Sequence, residues 1–139
     1  MTETEVIEEL NNMYEFEPAK EQYSRYDAFD KELGVIVEIK CRNKHYDDAL
    51  IEKIKFDWNK QYALDNGYTF IYAVSMPSNT GESIYLFEPS ALEECGCDFK
   101  WHTKKLPENT EFGCRNWIDK EVGYLHIKDA SMVIHKVKE

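Results

Sequence analysis

Residues 35–40 carry the clearest pattern of apolar and charged positions in the chain. The segment reads Val-Ile-Val-Glu-Ile-Lys, an apolar run in which two charges stand two residues apart. Successive side chains of a strand point to opposite faces. We therefore expect a strand over residues 34–42 in which Glu38 and Lys40 share one face and Val37 and Ile39 occupy the other. Charges on an otherwise apolar strand are costly unless they have a partner or a task.

The turn before this strand predicts a hairpin. Residues 31–34 end in a glycine, which gives the backbone the freedom that a turn exit often needs. With these four residues as the turn, Asp30 faces Val35, and counting outward places Asp27 opposite Glu38. Opposed side chains lie on one face with Cβ atoms about 4.5–5.5 Å apart, which suits two carboxylates that share a metal ion. A bulge would bring Asp30 to that face instead, so Asp30 is the reserve candidate.

The rest of the first 88 residues alternates between helical and extended patterns. Thr2 caps a helix whose predicted buried stripe is Val6, Leu10 and Met13. The other predicted elements are strands over residues 22–30, 34–42, 68–76 and 83–87 and a helix over residues 46–66 that Gly67 ends. The apolar run at 68–76 indicates a strand buried on both faces, paired in parallel across the helical crossover.

The long helix and the C-terminal third complete the prediction. The predicted buried side of the helix is formed by Leu50, Ile51, Ile54, Trp58, Tyr62 and Leu64. Beyond residue 88 we expect a short helix and an extended aromatic segment within 92–105, a loop near 107–113, apolar segments at 117–118 and 122–127, and an edge strand at 131–137. The 139 residues suit a single domain with a core at about 4–88 and a C-terminal elaboration at about 89–139.

A hairpin that carries Asp27 and then Glu38-x-Lys40, followed by a long helix, resembles the PD-(D/E)xK nuclease superfamily. That superfamily includes many restriction endonucleases, phage exonucleases and Holliday-junction resolvases. The motif covers residues 27–40, and Tyr26 stands where the family has its proline. The resemblance implies an α/β fold with a restriction-endonuclease-like αβββαβ core, in which helices flank a central mixed sheet. It also implies Mg²⁺-dependent hydrolysis of phosphodiester bonds, with Mn²⁺ as a substitute.

The resemblance also assigns roles to these residues. The metal would be held by Asp27, Glu38 and the backbone carbonyl of Ile39, because Mg²⁺ prefers oxygen ligands. Lys40 would contact the phosphate or the attacking water.

Two further positions follow from the same resemblance. The family often places another carboxylate on the first helix, for which Glu9 is the candidate and Glu21, in the connecting segment, the rival. A basic or amide residue of the long helix often reaches the catalytic face, and Lys55 is the candidate there, with Gln61 weighed beside it.

Charge limits the choice of partners. The formal net charge of −10 contrasts with the basic surface of most nucleic-acid-binding proteins. A local basic patch would have to offset it, formed by Lys40, Arg42, Lys44, Lys53, Lys55 and Lys60. No run of about 18 apolar residues occurs and the first residues are acidic, so we expect no membrane partner and a soluble protein in the cytoplasm of a bacterial or virus-infected cell.

The resemblance therefore implies a metal-dependent endo- or exonuclease that acts on DNA, with RNA as the less expected substrate and a homodimer as one arrangement. One alternative is a nuclease-fold binding or regulatory protein, for example a viral one, without catalytic activity. The other is purely structural, with Glu38 and Lys40 on the exposed face of an antiparallel sheet.

The cysteines and histidines suggest weaker constellations. Cys95, Cys97, His102 and Cys114 contain the ligand types of a Cys3His zinc site, but the paired C-x2-C spacing is missing and reduced thiols are the simpler interpretation. Cys41 follows Lys40, so alternation sends it to the apolar face.

Overall fold

The computed structural model describes residues 1–20, 24–95, 99–109, 113 and 115–137. Three helices, nine strands and a short 3-10 helix make up this part of the chain. In chain order they are α1 (Glu3–Leu10), β1 (Glu17–Pro18), β2 (Ala28–Asp30), β3 (Val35–Cys41), β4 (Asp48–Glu52), α2 (Lys53–Asn66), β5 (Thr69–Ser78), β6 (Gly81–Phe87), α3 (Pro89–Glu94), β7 (Trp101–Pro107), β8 (Trp117–His126), the 3-10 helix (Ile127–Asp129) and β9 (Met132–Val137).

These strands form two sheets. The larger sheet has six strands in the order β1-β2-β3-β5-β6-β9, and the smaller has three in the order β4-β8-β7. Strands β3 and β5 pair in parallel and the other neighbours in the larger sheet are antiparallel, so this sheet is mixed. The α/β class, the mixed sheet, the parallel crossover and the edge position of β9 agree with the sequence-based expectations.

The predicted alternation along β3 is confirmed. Its residues Val35, Val37 and Ile39 pack in one apolar cluster with α1, and Cys41 lies at the margin of that cluster. Ile36 belongs to the other cluster, which α2 covers through Phe56 and Ala63. The two faces of the sheet are therefore buried against different helices, and Glu38 and Lys40 lie on the α2 face.

The hairpin register is also confirmed. Asp30 pairs with Val35 and Ala28 pairs with Val37. The strand itself is shorter than the predicted 22–30, because β2 begins only at Ala28 and residues 21–23 lie outside the described part of the chain. Asp27 still donates its N–H to the carbonyl of Val37 at 2.8 Å, which holds it beside β3.

The first part of the predicted helix at 46–66 is wrong, because residues 48–52 form strand β4. Ala49 and Ile51 are buried while Asp48 is exposed, which is the period-two pattern of a strand that pairs with β8. The apolar residues at 50, 51 and 54 are spaced as on one side of a helix, and the partner strand that overrides this pattern lies some 70 residues later in the chain. The helical part of the prediction, from residue 53 to the left-handed cap at Gly67, is confirmed.

The predicted buried side of this helix is also wrong. The residues of α2 that are buried are Phe56, Asn59 and Ala63. Ile54 is 66% exposed and Leu64 is 68% exposed. At the N-terminus, Thr2 forms a capping box with Glu5, and Val6 and Leu10 are buried as expected, but Met13 is 45% exposed beyond the helix end.

No helix in the described part of the chain is both long and apolar enough to cross a membrane.

Candidate active site

A cleft of about 860 Å³ opens between the two sheets. Glu38 and Lys40 of β3 line it together with Tyr72, which pairs with Glu38 in register on β5. Glu52, at the end of β4, and Lys55, in the first turn of α2, line it beside them. The opposite wall comes from β7 and β8 and includes Leu106, Ile118 and Lys120. The cleft thus has side chains from both sheets.

Asp27 lies next to this cleft rather than in its lining. Its Oδ2 accepts the N–H of Ile39 at 2.6 Å. Burial raises the pKa of Asp27, while that hydrogen bond and the nearby charges of Lys55 and Lys40 act in the opposite direction. The carboxylate is therefore fixed to the backbone of β3 beside Glu38, as the hairpin count predicts.

Glu38 is buried at the floor of the cleft, and its Oε2 has no hydrogen-bond partner. Burial raises the pKa of Glu38 to about 7, with the negative charges of Asp27 and Glu52 adding to the rise and Lys55 opposing it. A buried carboxylate with an unpaired oxygen is expensive, and a cation or a proton at that oxygen would lower the cost.

Two lysines compensate part of this negative charge. Lys55 Nζ lies 3.8 Å from Glu38 Oε1 and 3.4 Å from Glu52 Oε2. Burial lowers the pKa of Lys40, and the nearby cations Arg42 and Lys55 lower it further. The structure therefore brings together four of the residues selected from the sequence, namely Asp27, Glu38, Lys40 and Lys55.

Glu52 and Lys120 were missed by the sequence-based selection. Lys120 Nζ lies 2.7 Å from Glu52 Oε1. Burial opposes ionisation of Glu52, but the hydrogen bond from Lys120 and the charge of Lys55 outweigh it and leave the pKa of Glu52 lowered. Interpreting residues 48–52 as a strand would have placed Glu52 at a strand end near the motif, whereas no local signal marks Lys120.

Glu9 and Gln61 have other partners. The carboxylate of Glu9 lies 3.1 Å from Nζ of Lys136 on β9, the edge strand of the larger sheet. Another carboxylate of α1, that of Glu3, has its pKa raised by partial burial and by the negative charge of Asp27. Gln61 donates to Asp65 on the exposed side of α2.

Two alternative site residues were predicted from the sequence, Asp30 and Glu21. Asp30 has a structural role, because its carboxylate accepts the N–H groups of Glu15 at 2.8 Å and Leu33 at 2.9 Å. These bonds to Leu33 and Glu15 keep the pKa of Asp30 low against the effect of burial. Glu21, the rival of Glu9, lies outside the described residues.

Of the four candidate zinc ligands, Cys95 and His102 lie in the described part of the chain. Cys97 and Cys114 lie outside the described residues, and Cys95 is disulfide-bonded, so it is not the reduced thiol that the sequence suggested. His102 is exposed on β7, with its ring 6.3 Å from that of Tyr124. Cys41 is a free thiol at the margin of the α1 cluster, away from the face of Lys40.

The side chains of the cleft are the basis for assigning its chemistry. Comparisons with protein-family models, with curated proteins and with solved structures found no match to this chain. What the arrangement can do must therefore follow from its charges, its burial and its hydrogen bonds.

One observation indicates that these residues could hold a divalent cation. The Oε2 atom of Glu38 is buried and unpaired, and the carboxylate of Asp27 lies close enough to act on its charge. Within the described ranges, no group of three or more His, Cys, Asp and Glu side chains is spaced to hold a metal ion. Mg²⁺ is often bound through only one or two carboxylates together with water and substrate phosphates. The residues that would hold the ion are Asp27, Glu38 and the carbonyl of Ile39.

Proposed function

We propose that this protein is a metal-dependent nuclease with a restriction-endonuclease-like core, and that it hydrolyses phosphodiester bonds in DNA. The observation that carries the proposal is the buried Glu38, whose unpaired oxygen lies on the floor of a cleft beside Asp27, Lys40 and Lys55. Titratable groups that are strongly perturbed by burial and by a neighbouring charge cluster at functional sites, above all where they lie in a cleft. The resemblance of Asp27 and Glu38-x-Lys40 to the PD-(D/E)xK motif supports the same chemistry.

The protein's own residues divide the work in this mechanism. Mg²⁺, when bound, would polarise the phosphodiester and lower the pKa of a water molecule. Asp27 and Glu38 are held in position before the substrate arrives, because Asp27 is fixed to the Ile39 amide and Glu38 lies between Tyr72 of β5 and Lys55 of α2. Lys40 orients the attacking water and offsets the negative charge that builds up on the phosphate in the transition state.

The experiment is a cleavage assay with labelled single-stranded DNA, duplex DNA, branched DNA and RNA, in Mg²⁺ and in Mn²⁺. We expect Glu38→Gln and Lys40→Met to lower the cleavage rate by roughly 10²- to 10³-fold or more, because each removes a charge that acts on the transition state. Glu17→Gln is the matched control, since Glu17 is exposed on β1. Wild-type levels of cleavage in a folded Glu38→Gln protein would show that the assignment is wrong.

A binding or regulatory protein of the same fold is the second candidate, and Lys55 favours it. Its ammonium lies close to both Glu38 and Glu52, so it neutralises part of their charge without a metal. Calorimetric titration with Mg²⁺ and Mn²⁺ separates the two candidates. Metal binding that Glu38→Gln abolishes supports the nuclease, whereas the absence of metal binding, alone and with DNA present, supports the second candidate.

A further inference from the structure

Strand β8 extends beyond strand β4 at the edge of the cleft. Residues 122–126 of β8 pair with β4, whereas residues 117–121 pair with β7 alone among the described strands. Strands β7 and β8 therefore form a two-stranded ribbon beside the start of α2. Lys120 belongs to this ribbon and is the one lysine that the smaller sheet, as described, contributes to the lining of the cleft.

Glu52 joins this ribbon lysine to the lysine of the helix. Lys120 Nζ is 2.7 Å from Oε1 of Glu52, and Lys55 Nζ is 3.4 Å from Oε2 of the same carboxylate. The side chain of Lys120 is 20% exposed and that of Lys55 is 38% exposed, and both line the cleft. Lys55, Lys120 and Glu52 together carry a formal charge of +1, which Glu38, 3.8 Å from Lys55, partly offsets.

An ammonium group has three hydrogen-bond donors, and the contact with Glu52 uses one of those of Lys120. Lys55 contacts two carboxylates, those of Glu38 and Glu52, so each lysine keeps at least one donor for a ligand in the cleft. The cleft as a whole is balanced, because six cationic and six carboxylate side chains line it. The complete chain carries −10, so the cleft is less repulsive to an anion than the remaining surface.

We propose that Lys55 and Lys120, positioned by Glu52, bind a backbone phosphate of the nucleic-acid strand next to the phosphate at Glu38 and Lys40. This inference rests on the proposed function, from which the class of ligand is taken. Lys120 is then a substrate-binding residue supplied by the second sheet, and Glu52 is a positioning residue. Through this contact, the β7–β8 ribbon would fix the path of the nucleic-acid strand across the site.

The test measures binding without metal, by the fluorescence anisotropy of labelled single-stranded and duplex DNA in EDTA over a series of NaCl concentrations. Lys120→Gln removes the charge but can still donate a hydrogen bond to Glu52, so a purely structural tether would survive. We expect several-fold weaker binding. The slope of log K against log[NaCl] should also become less steep by about 0.9 for duplex DNA or about 0.7 for single-stranded DNA, the amount that corresponds to the loss of one phosphate contact. Lys120→Arg should restore both quantities.

Lys104→Gln is the matched control, because Lys104 lies on the same ribbon, is exposed and does not line the cleft. It should leave the salt dependence unchanged. The proposal is overturned if Lys120→Gln binds like the wild type, if both glutamine variants change binding equally, or if the wild type binds neither form of DNA at low salt. Binding that depends on Lys120 without cleavage in Mg²⁺ would instead retain the phosphate contact and reject the proposed chemistry.

Discussion

The burial of Glu38 is unfavourable for the stability of the metal-free protein. Its carboxylate is buried, one of its oxygens has no partner, and Asp27 and Glu52 repel it. Burial and these neighbours raise its pKa to about 7 from the ordinary value of 4.5. The folded protein therefore keeps a proton on Glu38 at pH values where the unfolded chain has lost it.

This difference makes the stability of the metal-free protein depend on pH. Because the folded state binds more protons between pH 4.5 and about 7, the free energy of unfolding should fall as the pH rises through this window. The loss attributable to Glu38 is of the order of 3 kcal/mol at most. Glu38→Gln should remove most of it, as measured by urea denaturation in EDTA at several pH values.

Glu17→Gln again provides the control, since it removes an exposed carboxylate and should keep the wild-type pH profile. If Glu38→Gln and the wild type have parallel profiles from pH 4 to pH 8, the buried carboxylate is not the source of the dependence.

The site was predictable where the chemistry was local in sequence. Asp27, Glu38 and Lys40 follow from strand alternation and from the count across one turn, and the register of the hairpin is as expected. Glu52 and Lys120 come together across 68 positions of the chain, and that contact depends on a sheet pairing that hydrophobic periodicity does not encode.

At the scale of elements, α2 is the instructive case. Its buried residue Phe56 is 0% exposed and packs against Phe70 and Trp101, whereas Ile54 is 66% exposed two positions earlier. Sequence periodicity selected the wrong side because residues 50 and 51 were counted as part of the helix. Once strand β4 ends at Glu52, the helix begins in a new phase and a different face is buried.

Substitutions of Phe56 and Ile54 therefore test which face of α2 is buried. Phe56→Ala should lower the free energy of unfolding by about 3–5 kcal/mol, because it empties a filled position of the core. Ile54→Ala removes an exposed side chain and should change it by less than about 0.5 kcal/mol. Urea denaturation of both variants gives the comparison, and equal losses would mean that the observed face of α2 is incorrect.

At the scale of the whole molecule, the distribution of charge addresses how so acidic a protein could bind DNA. The formal charges of six side chains at the site cancel. The three carboxylates are Asp27, Glu38 and Glu52, and the three ammonium groups are Lys40, Lys55 and Lys120. The chain as a whole carries −10. A divalent ion would make this group of six positive while the surrounding surface stays negative, so metal and phosphate should favour each other's binding.

We therefore expect Ca²⁺, used without Mg²⁺, to raise the affinity for DNA by about 5- to 150-fold at constant ionic strength, the range of a typical coupling between two sites. Linkage requires DNA to raise the affinity for the metal by the same factor, which calorimetry can measure. Glu38→Gln should lose this coupling. An equal gain in that variant would indicate general screening by the ion rather than a site at Glu38.

The passage from β4 to α2 has no loop, since Glu52 ends the strand and Lys53 begins the helix. One residue inserted after Lys53 would turn Lys55 by about 100° around the helix axis. The composition and net charge would hardly change, but the ammonium would leave both carboxylates. Variation in chain length is therefore compatible with the cleft only outside this junction.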